Sequence, residues 1–106
     1  MSLKNKKCIP CEGGVPKLDS LKITELLKEV PGWALSEGQK IRREFVFKDF
    51  VAAMAFINKM ATIAEAEGHH PDFMVHYNKV EVVIWTHAIG GLSENDFILA
   101  SKINAL

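Results

Sequence analysis

A chain of 106 residues, 48% apolar and 25% charged, has the length and composition of one globular domain with a single hydrophobic core. Its thirteen basic and thirteen acidic residues cancel, which excludes the positive excess typical of proteins that bind nucleic acids or membrane surfaces. No apolar run reaches transmembrane length and no hydrophobic signal segment is visible, so the sequence predicts a soluble, cytoplasmic protein without a nucleic-acid or membrane partner.

Residues 1–17 are predicted to form a flexible N-terminal arm, because they are basic and contain several Pro and Gly residues. The arm carries both cysteines, Cys8 and Cys11, in a C-x-x-C spacing. One such motif supplies half of a zinc site or one redox pair, and this one neither follows a strand nor opens a helix. We interpret it as two reduced thiols, with a zinc ion shared between two subunits as the alternative.

Residues 18–106 are predicted to form a single domain of seven elements. In chain order these are a helix over 18–30, strands over 33–35 and 41–47, a helix over 50–67, strands over 73–77 and 80–87, and a last helix from Ser93 through Ile103. Asp19 or Ser20 can cap the first helix and Asp49 the second, which ends at Gly68. Ser93 with Asp96 resembles a capping box.

The order α-β-β-α-β-β-α contains two hairpins separated by a helix. It predicts an α+β fold in which a four-stranded antiparallel sheet has its helices packed on one face. The apolar stripe of the long helix is predicted to consist of Phe50, Ala53, Met54, Ile57, Ala61 and Ala64. The other face of the sheet and its edge strands then need a cover, which a second subunit usually provides.

His69, His70 and His87 carry the strongest functional signal of the sequence. Histidine ordinarily titrates near neutral pH, so such a cluster indicates proton transfer or metal binding. Adjacent histidines do not share the spacing of zinc ligands on a helix or a strand, and no Cys or acidic residue completes a pattern with His76. The sequence therefore favours metal-free acid–base chemistry, with Glu65 placed to orient an imidazole.

Each candidate residue also has a structural interpretation. A histidine of the adjacent pair could sit at a helix C-terminus, His87 could end a half-buried strand, and Asp96 is explained by capping. Trp33 and Trp85 are first of all core or interface residues, although either could stack on a flat ring. The adjacent histidines followed by Pro71, at a helix–strand junction, favour function over these interpretations.

At these positions the chain resembles the pterin-4a-carbinolamine dehydratase family. The residues that carry the resemblance are Glu65, His69-His70-Pro71, Tyr77, His87 and Asp96. Flanking segments that also match are Pro31-Gly32-Trp33, Phe45–Phe50, Tyr77–Val80 and Gly91-Leu92-Ser93. The likeness covers about residues 18–105, and the arm is similar to one found in some bacterial and plant members. Many relatives carry an acidic residue at the position of Gly68.

The resemblance implies dehydration of 4a-hydroxytetrahydropterin to the quinonoid dihydropterin, which recycles the cofactor of aromatic amino acid hydroxylases. It implies a hydro-lyase that needs no metal or cofactor, because the pterin is the substrate, and that assembles as a homodimer or homotetramer. His70 and His87 are assigned as general acid and base, and His69 as a substrate anchor or third acid–base group. The substrate-binding residues are Pro71, Thr86, Ala88 and Ile89, and the supporting residues are Glu65, Asp96 and Trp33.

Two other functions follow from the same resemblance. An animal member acts as a dimerisation cofactor of a transcription factor, so this chain could bind a protein partner through a helical surface. It could also be a regulatory pterin-binding module. Retention of all three motif histidines favours the enzyme over both alternatives.

Overall fold

Three α-helices and four antiparallel β-strands form the fold of residues 3–8 and 16–106, which are the residues that the computed structural model describes. The elements are α1 Ser20–Leu27, β1 Ala34–Ser36, β2 Lys40–Val46, α2 Phe50–Glu67, β3 Asp72–His76, β4 Lys79–Ile84 and α3 Glu94–Asn104. Two short 3-10 turns cover Leu3–Asn5 and His87–Ile89. The predicted α+β class and the order α-β-β-α-β-β-α are confirmed. No helix in this described part of the chain has the length and apolar character needed to cross a membrane.

The sheet has the strand order β1-β2-β4-β3, with every neighbouring pair antiparallel. Side chains alternate between its two faces, so Ile41 and its partner Ile84 are buried against the helices while Arg42 and Glu44 are exposed on the open face. The short strand β1 and the strand β3 form the two edges. The helices lie on one face of the sheet, as predicted.

The long helix α2 begins and ends at the predicted residues, but its buried face differs from the predicted stripe. Asp49 accepts a hydrogen bond from the Ala52 amide, and Gly68 ends the helix in the left-handed conformation with a φ of 65°. The buried residues are Ala53, Phe56, Ile57, Met60 and Ala64. Phe50 and Ala61 are exposed, because the helix is turned so that the Phe56 ring packs 4.7 Å from that of Phe45.

Several predicted boundaries differ from the structure, and three of the differences have a local reason. The first helix ends at Leu27 because the following amides bond to carbonyls three residues back, which tightens the chain into a turn. Tyr77 lies in the β3–β4 turn with a φ of 55° and is not a strand residue. The last strand ends at Ile84, and His87 is the first residue of a 3-10 turn. An isolated antiparallel β-bridge between Thr86 and Gly91 flanks this turn.

Residues 3–8 pack against the domain. Leu3 is buried in the hydrophobic core, the Lys6 ammonium lies 2.9 Å from the Glu94 carboxylate, and the Cys8 amide donates to Glu67 at 2.8 Å. Cys11 lies outside the described residues. The division into an arm and a domain, and the interpretation of the two thiols, stay predictions.

The Glu67 carboxylate joins this N-terminal segment to the end of α2 and to α3. The pKa of Glu67 lies below its ordinary value, mainly because the Cys8 backbone amide donates a hydrogen bond to the carboxylate. The positive charge of Lys102, 3.7 Å away, also lowers this pKa, whereas burial of the carboxylate raises it. A carboxylate whose pKa is lower in the folded protein than in the unfolded chain stabilises the fold at pH values above its unfolded pKa. This stabilisation is lost as the pH falls through its pKa in the folded protein.

We therefore expect Glu67→Gln to reduce the free energy of unfolding by about 1 kcal/mol at neutral pH. The difference from the wild type should shrink toward zero below roughly pH 4.5, where the carboxylate of the unfolded chain is protonated. Urea denaturation over a pH series measures the loss of unfolding free energy at neutral pH and its decrease in acid. Glu44→Gln, which changes an exposed carboxylate on the open face of the sheet, is the matched control. A difference that stays constant into acid would show that the charge of Glu67 does not stabilise the fold.

Candidate active site

A cavity of about 330 Å³ opens where the junction between α2 and β3 meets the end of β4. Its lining consists of Gly68, His69, His70, Pro71, Asp72, Trp85, Thr86, His87 and Ala88. Its volume lies at the lower end of the range of small-molecule sites, which suits a compact ligand. Two segments that are distant in the chain, residues 68–72 and 85–88, therefore place three histidines around one cavity.

The backbone at the helix end separates the two adjacent histidines. Gly68 takes a left-handed backbone conformation, which a glycine adopts without the strain that a side chain would bring. After that turn His69 faces inward and is 6% exposed, whereas the side chain of His70 is 62% exposed. Pro71 then leads the chain into β3. The pair therefore presents one buried and one solvent-facing imidazole to the same cavity.

A buried hydrogen-bond network stands behind His69. The Nε2 atom of His69 lies 2.6 Å from Oδ1 of Asp96, a carboxylate with no exposed surface. The other oxygen of Asp96 accepts from the Thr86 hydroxyl and from the Ser93 amide, each at 2.8 Å. Because a carboxylate only accepts hydrogen bonds, this contact places the proton of His69 on Nε2 and fixes the ring orientation. Asp96 is thus both the capping-box residue of α3 and the partner of His69.

Glu65 contacts His70 and not His69. Its Oε1 atom lies 2.8 Å from Nε2 of His70, and both side chains are largely exposed. The alternative pairing with His69, four residues after Glu65, would need the helix to continue, but α2 ends at Glu67. The predicted role of Glu65 in orienting an imidazole therefore concerns the solvent-facing histidine.

His87 lies at the mouth of the cavity, on the first residue of the 3-10 turn. Its ring stacks on Trp85 with 4.1 Å between the ring centroids, and its Nε2 atom lies 3.9 Å from Oδ2 of Asp72. The Trp85 indole donates to the same Asp72 oxygen at 3.3 Å. The side chain of His87 remains 61% exposed, so a ligand in the cavity can reach it.

The structure brings most of the predicted site residues together. Pro71, Thr86 and Ala88 line the cavity, although the Thr86 hydroxyl is engaged by Asp96 and Ser93. Their role in substrate binding stays a prediction. Ile89 does not line it.

Trp33 is also absent from the lining. It is a core residue whose indole donates to Asn104 at 2.8 Å, which agrees with the structural interpretation and not with a supporting role beside the cavity.

The cavity lining includes Asp72, to which the sequence analysis assigns no role, and Trp85, which it names only as a core or interface residue that could stack on a flat ring. Asp72 directly follows the His-His-Pro motif, and this adjacency is the signal that could have revealed it. His76 is exposed on β3 and does not line the cavity. Within residues 3–8 and 16–106, no three His, Cys, Asp or Glu side chains are grouped as metal ligands; metal-free chemistry stays a prediction.

Comparisons with known proteins point to one family. The profile described as pterin 4 alpha carbinolamine dehydratase matches residues 16–106. Two relatives are provisionally named pterin-4-alpha-carbinolamine dehydratases. The one from Halorhodospira halophila is 48% identical over 107 residues, covering 100% of this chain and 98% of the relative. The one from Nitrosospira multiformis is 52% identical over 104 residues, covering 98% and 91%.

Solved structures agree with the fold. The structure of a transcriptional coactivator/pterin dehydratase from Brucella melitensis is similar with a TM-score of 0.81 at 37% identity, covering 85% of this chain and 97% of that one. A pterin dehydratase-like RuBisCO assembly factor of the alpha-carboxysome is similar with a TM-score of 0.59 at 20% identity, covering 70% and 87%. At that identity the second likeness concerns the fold alone.

Proposed function

Because the chain belongs to the pterin 4 alpha carbinolamine dehydratase family, we propose that it dehydrates 4a-hydroxytetrahydropterin to the quinonoid dihydropterin by acid–base chemistry of its histidines. The observation that carries this proposal is the convergence of His69, His70 and His87 on one cavity of about 330 Å³. The reaction would recycle the pterin cofactor of aromatic amino acid hydroxylases.

The reaction needs two proton transfers at neighbouring atoms of a flat ring. The C4a–O bond breaks, and the oxygen leaves as water once an acid has protonated it. The electron pair of N5 forms the C4a–N5 double bond, and a base removes the N5 proton. Imidazoles suit both steps because their ordinary pKa lies near neutrality, so the same type of side chain can serve as acid or base.

The exposure of the three histidines suggests different roles. His70 and His87 face the open cavity and exchange protons easily with solvent, so we assign them to the C4a hydroxyl and to N5. His69 is held against buried Asp96, an arrangement that favours a fixed anchor for the substrate. Glu65 would orient His70 through its 2.8 Å contact.

The remaining parts of the proposal follow from the same chemistry. Pro71 offers an apolar surface to the ring. Every proton transfer uses side chains of the chain itself, so no metal or cofactor is invoked. A homodimer or homotetramer and a cytoplasmic location stay predictions. Exposed Phe73 and Met74 on the edge strand β3 are consistent with association between subunits.

The test is the dehydration of chemically prepared 4a-hydroxytetrahydropterin, followed by ultraviolet absorbance. We expect the wild-type protein to accelerate the reaction clearly over the spontaneous rate. A folded protein that binds the pterin without accelerating the reaction would support the regulatory pterin-binding alternative. A folded protein that neither binds nor accelerates would contradict the proposal and favour a protein-partner role.

A further inference from the structure

We propose that Asp72 is a positioning residue that, with Trp85, holds the His87 ring at the mouth of the cavity. The inference deepens the proposed function and rests on it for the meaning of His87 as an acid–base group. It starts from a cluster on the edge of the sheet, away from the buried network of Asp96.

His87 needs an external support because its own backbone provides little. It lies on a three-residue 3-10 turn, and its side chain is 61% exposed. Without further contacts, such an exposed side chain would change between rotamers and place the imidazole in several positions. Proton transfer requires the imidazole to lie within hydrogen-bond distance of the reacting atom. Misplacement by about 1 Å can reduce a rate about 100-fold.

Trp85 supplies a flat surface on which the imidazole rests. The two rings are tilted by 33° with centroids 4.1 Å apart. The Lys40 ammonium lies 4.8 Å from the Trp85 ring centroid, so the indole is also in contact with a cation from β2. Stacking restrains the plane of the imidazole but leaves its rotation within that plane open.

Asp72 restrains that rotation, because one of its carboxylate oxygens lies near both the Trp85 indole and the His87 imidazole. Its Oδ2 atom accepts the Trp85 indole hydrogen at 3.3 Å and lies 3.9 Å from Nε2 of His87. The carboxylate attracts the edge of the imidazole electrostatically and holds the indole on which the imidazole stacks. Asp72 itself begins β3, where its pairing with Val83 in β4 defines its position.

The first readout is structural and needs no turnover. Stacking on an indole moves the ring-proton NMR signals of a histidine upfield, so the His87 signals report its contact with Trp85. We expect Asp72→Ala to move these signals toward the values of an unstacked histidine, and Asp72→Asn, whose amide oxygen can still accept the indole hydrogen, to move them less. Glu44→Ala is the matched control, because it removes an exposed carboxylate from the same open sheet face without touching the cluster.

The second readout is kinetic. We expect Asp72→Ala to lower kcat about 10-fold to 100-fold with little change in KM, as for a residue that orients a catalytic group. Asp72→Glu should restore part of the loss, and circular dichroism should show each variant folded, since the Asp72 side chain is 63% exposed.

The outcomes separate this inference from the proposed function. Unchanged His87 signals in folded Asp72→Ala would overturn it, and so would a kcat equal to that of an active wild type. Displaced His87 signals in a protein without dehydratase activity would support the positioning of His87 and reject only the reaction.

Discussion

Replacing Asp96 with alanine is expected to lower the free energy of unfolding by about 3–5 kcal/mol, because removal of one partner from a buried charged network leaves the others unpaired. The His69 imidazole, the Thr86 hydroxyl and the Ser93 amide would all lose their carboxylate contact inside the protein. A domain of this size is typically stable by about 5–15 kcal/mol, so this loss is a large share of the total. Urea denaturation at constant pH measures it.

Asp19→Ala provides the matched control for this prediction. Asp19 also caps a helix, accepting from the Lys22 amide at 2.9 Å, but it is exposed and has no buried network behind it. Its loss should cost about 1 kcal/mol, the usual value of an N-cap. If the two variants were equally stable, the buried network would contribute nothing beyond capping. Asp96→Asn, which keeps the shape of the side chain, should lie between Asp96→Ala and the wild type.

Replacing His70 or His87 with alanine is expected to reduce kcat for pterin dehydration by about 10²–10⁴-fold, the usual contribution of one positioned acid or base. Both side chains are more than half exposed, so neither change removes core packing and the fold should persist. The double variant should approach the spontaneous rate. Absorbance kinetics under saturating substrate, with an unfolding curve for each variant, measures the effect.

His76→Ala is the control for the histidine variants. His76 is exposed on β3 and does not line the cavity, so its removal should leave the rate unchanged. Full activity of both His70→Ala and His87→Ala would reject the assignment of these two residues. Equal losses in all three variants would show that the effect comes from the loss of any surface imidazole.

Local signals in the sequence were sufficient for the fold class. The long helix α2 was predicted with its observed bounds because Asp49 and Gly68 have strong local preferences for helix ends. The capping box of Ser93 and Asp96 likewise marked the start of α3 within one residue. From Ile41 onward, the less exposed residues of β2 alternate with exposed ones, as the two-residue period of a strand requires.

The rotation of α2 about its own axis was beyond the reach of periodicity. Met60 and Phe56 are buried and Ala61 is exposed, yet all three are apolar and compatible with a stripe. Which of them faces the core depends on the shapes of Phe45 and Phe47 on the neighbouring strand. That choice is made by side-chain packing between elements, which a single segment does not encode.

The candidate site divides in the same way. The sequence by itself determined which residue types are present and where helices and strands begin, so it identified His69, His70 and His87 and the chemistry that imidazoles can perform. Only the tertiary structure decided their partners: Asp96 for His69, Glu65 for His70, and Trp85 with Asp72 for His87. Capping and periodicity act over a few neighbouring residues, whereas the direction of a side chain after a left-handed glycine, and the carboxylate it meets, depend on how distant segments pack.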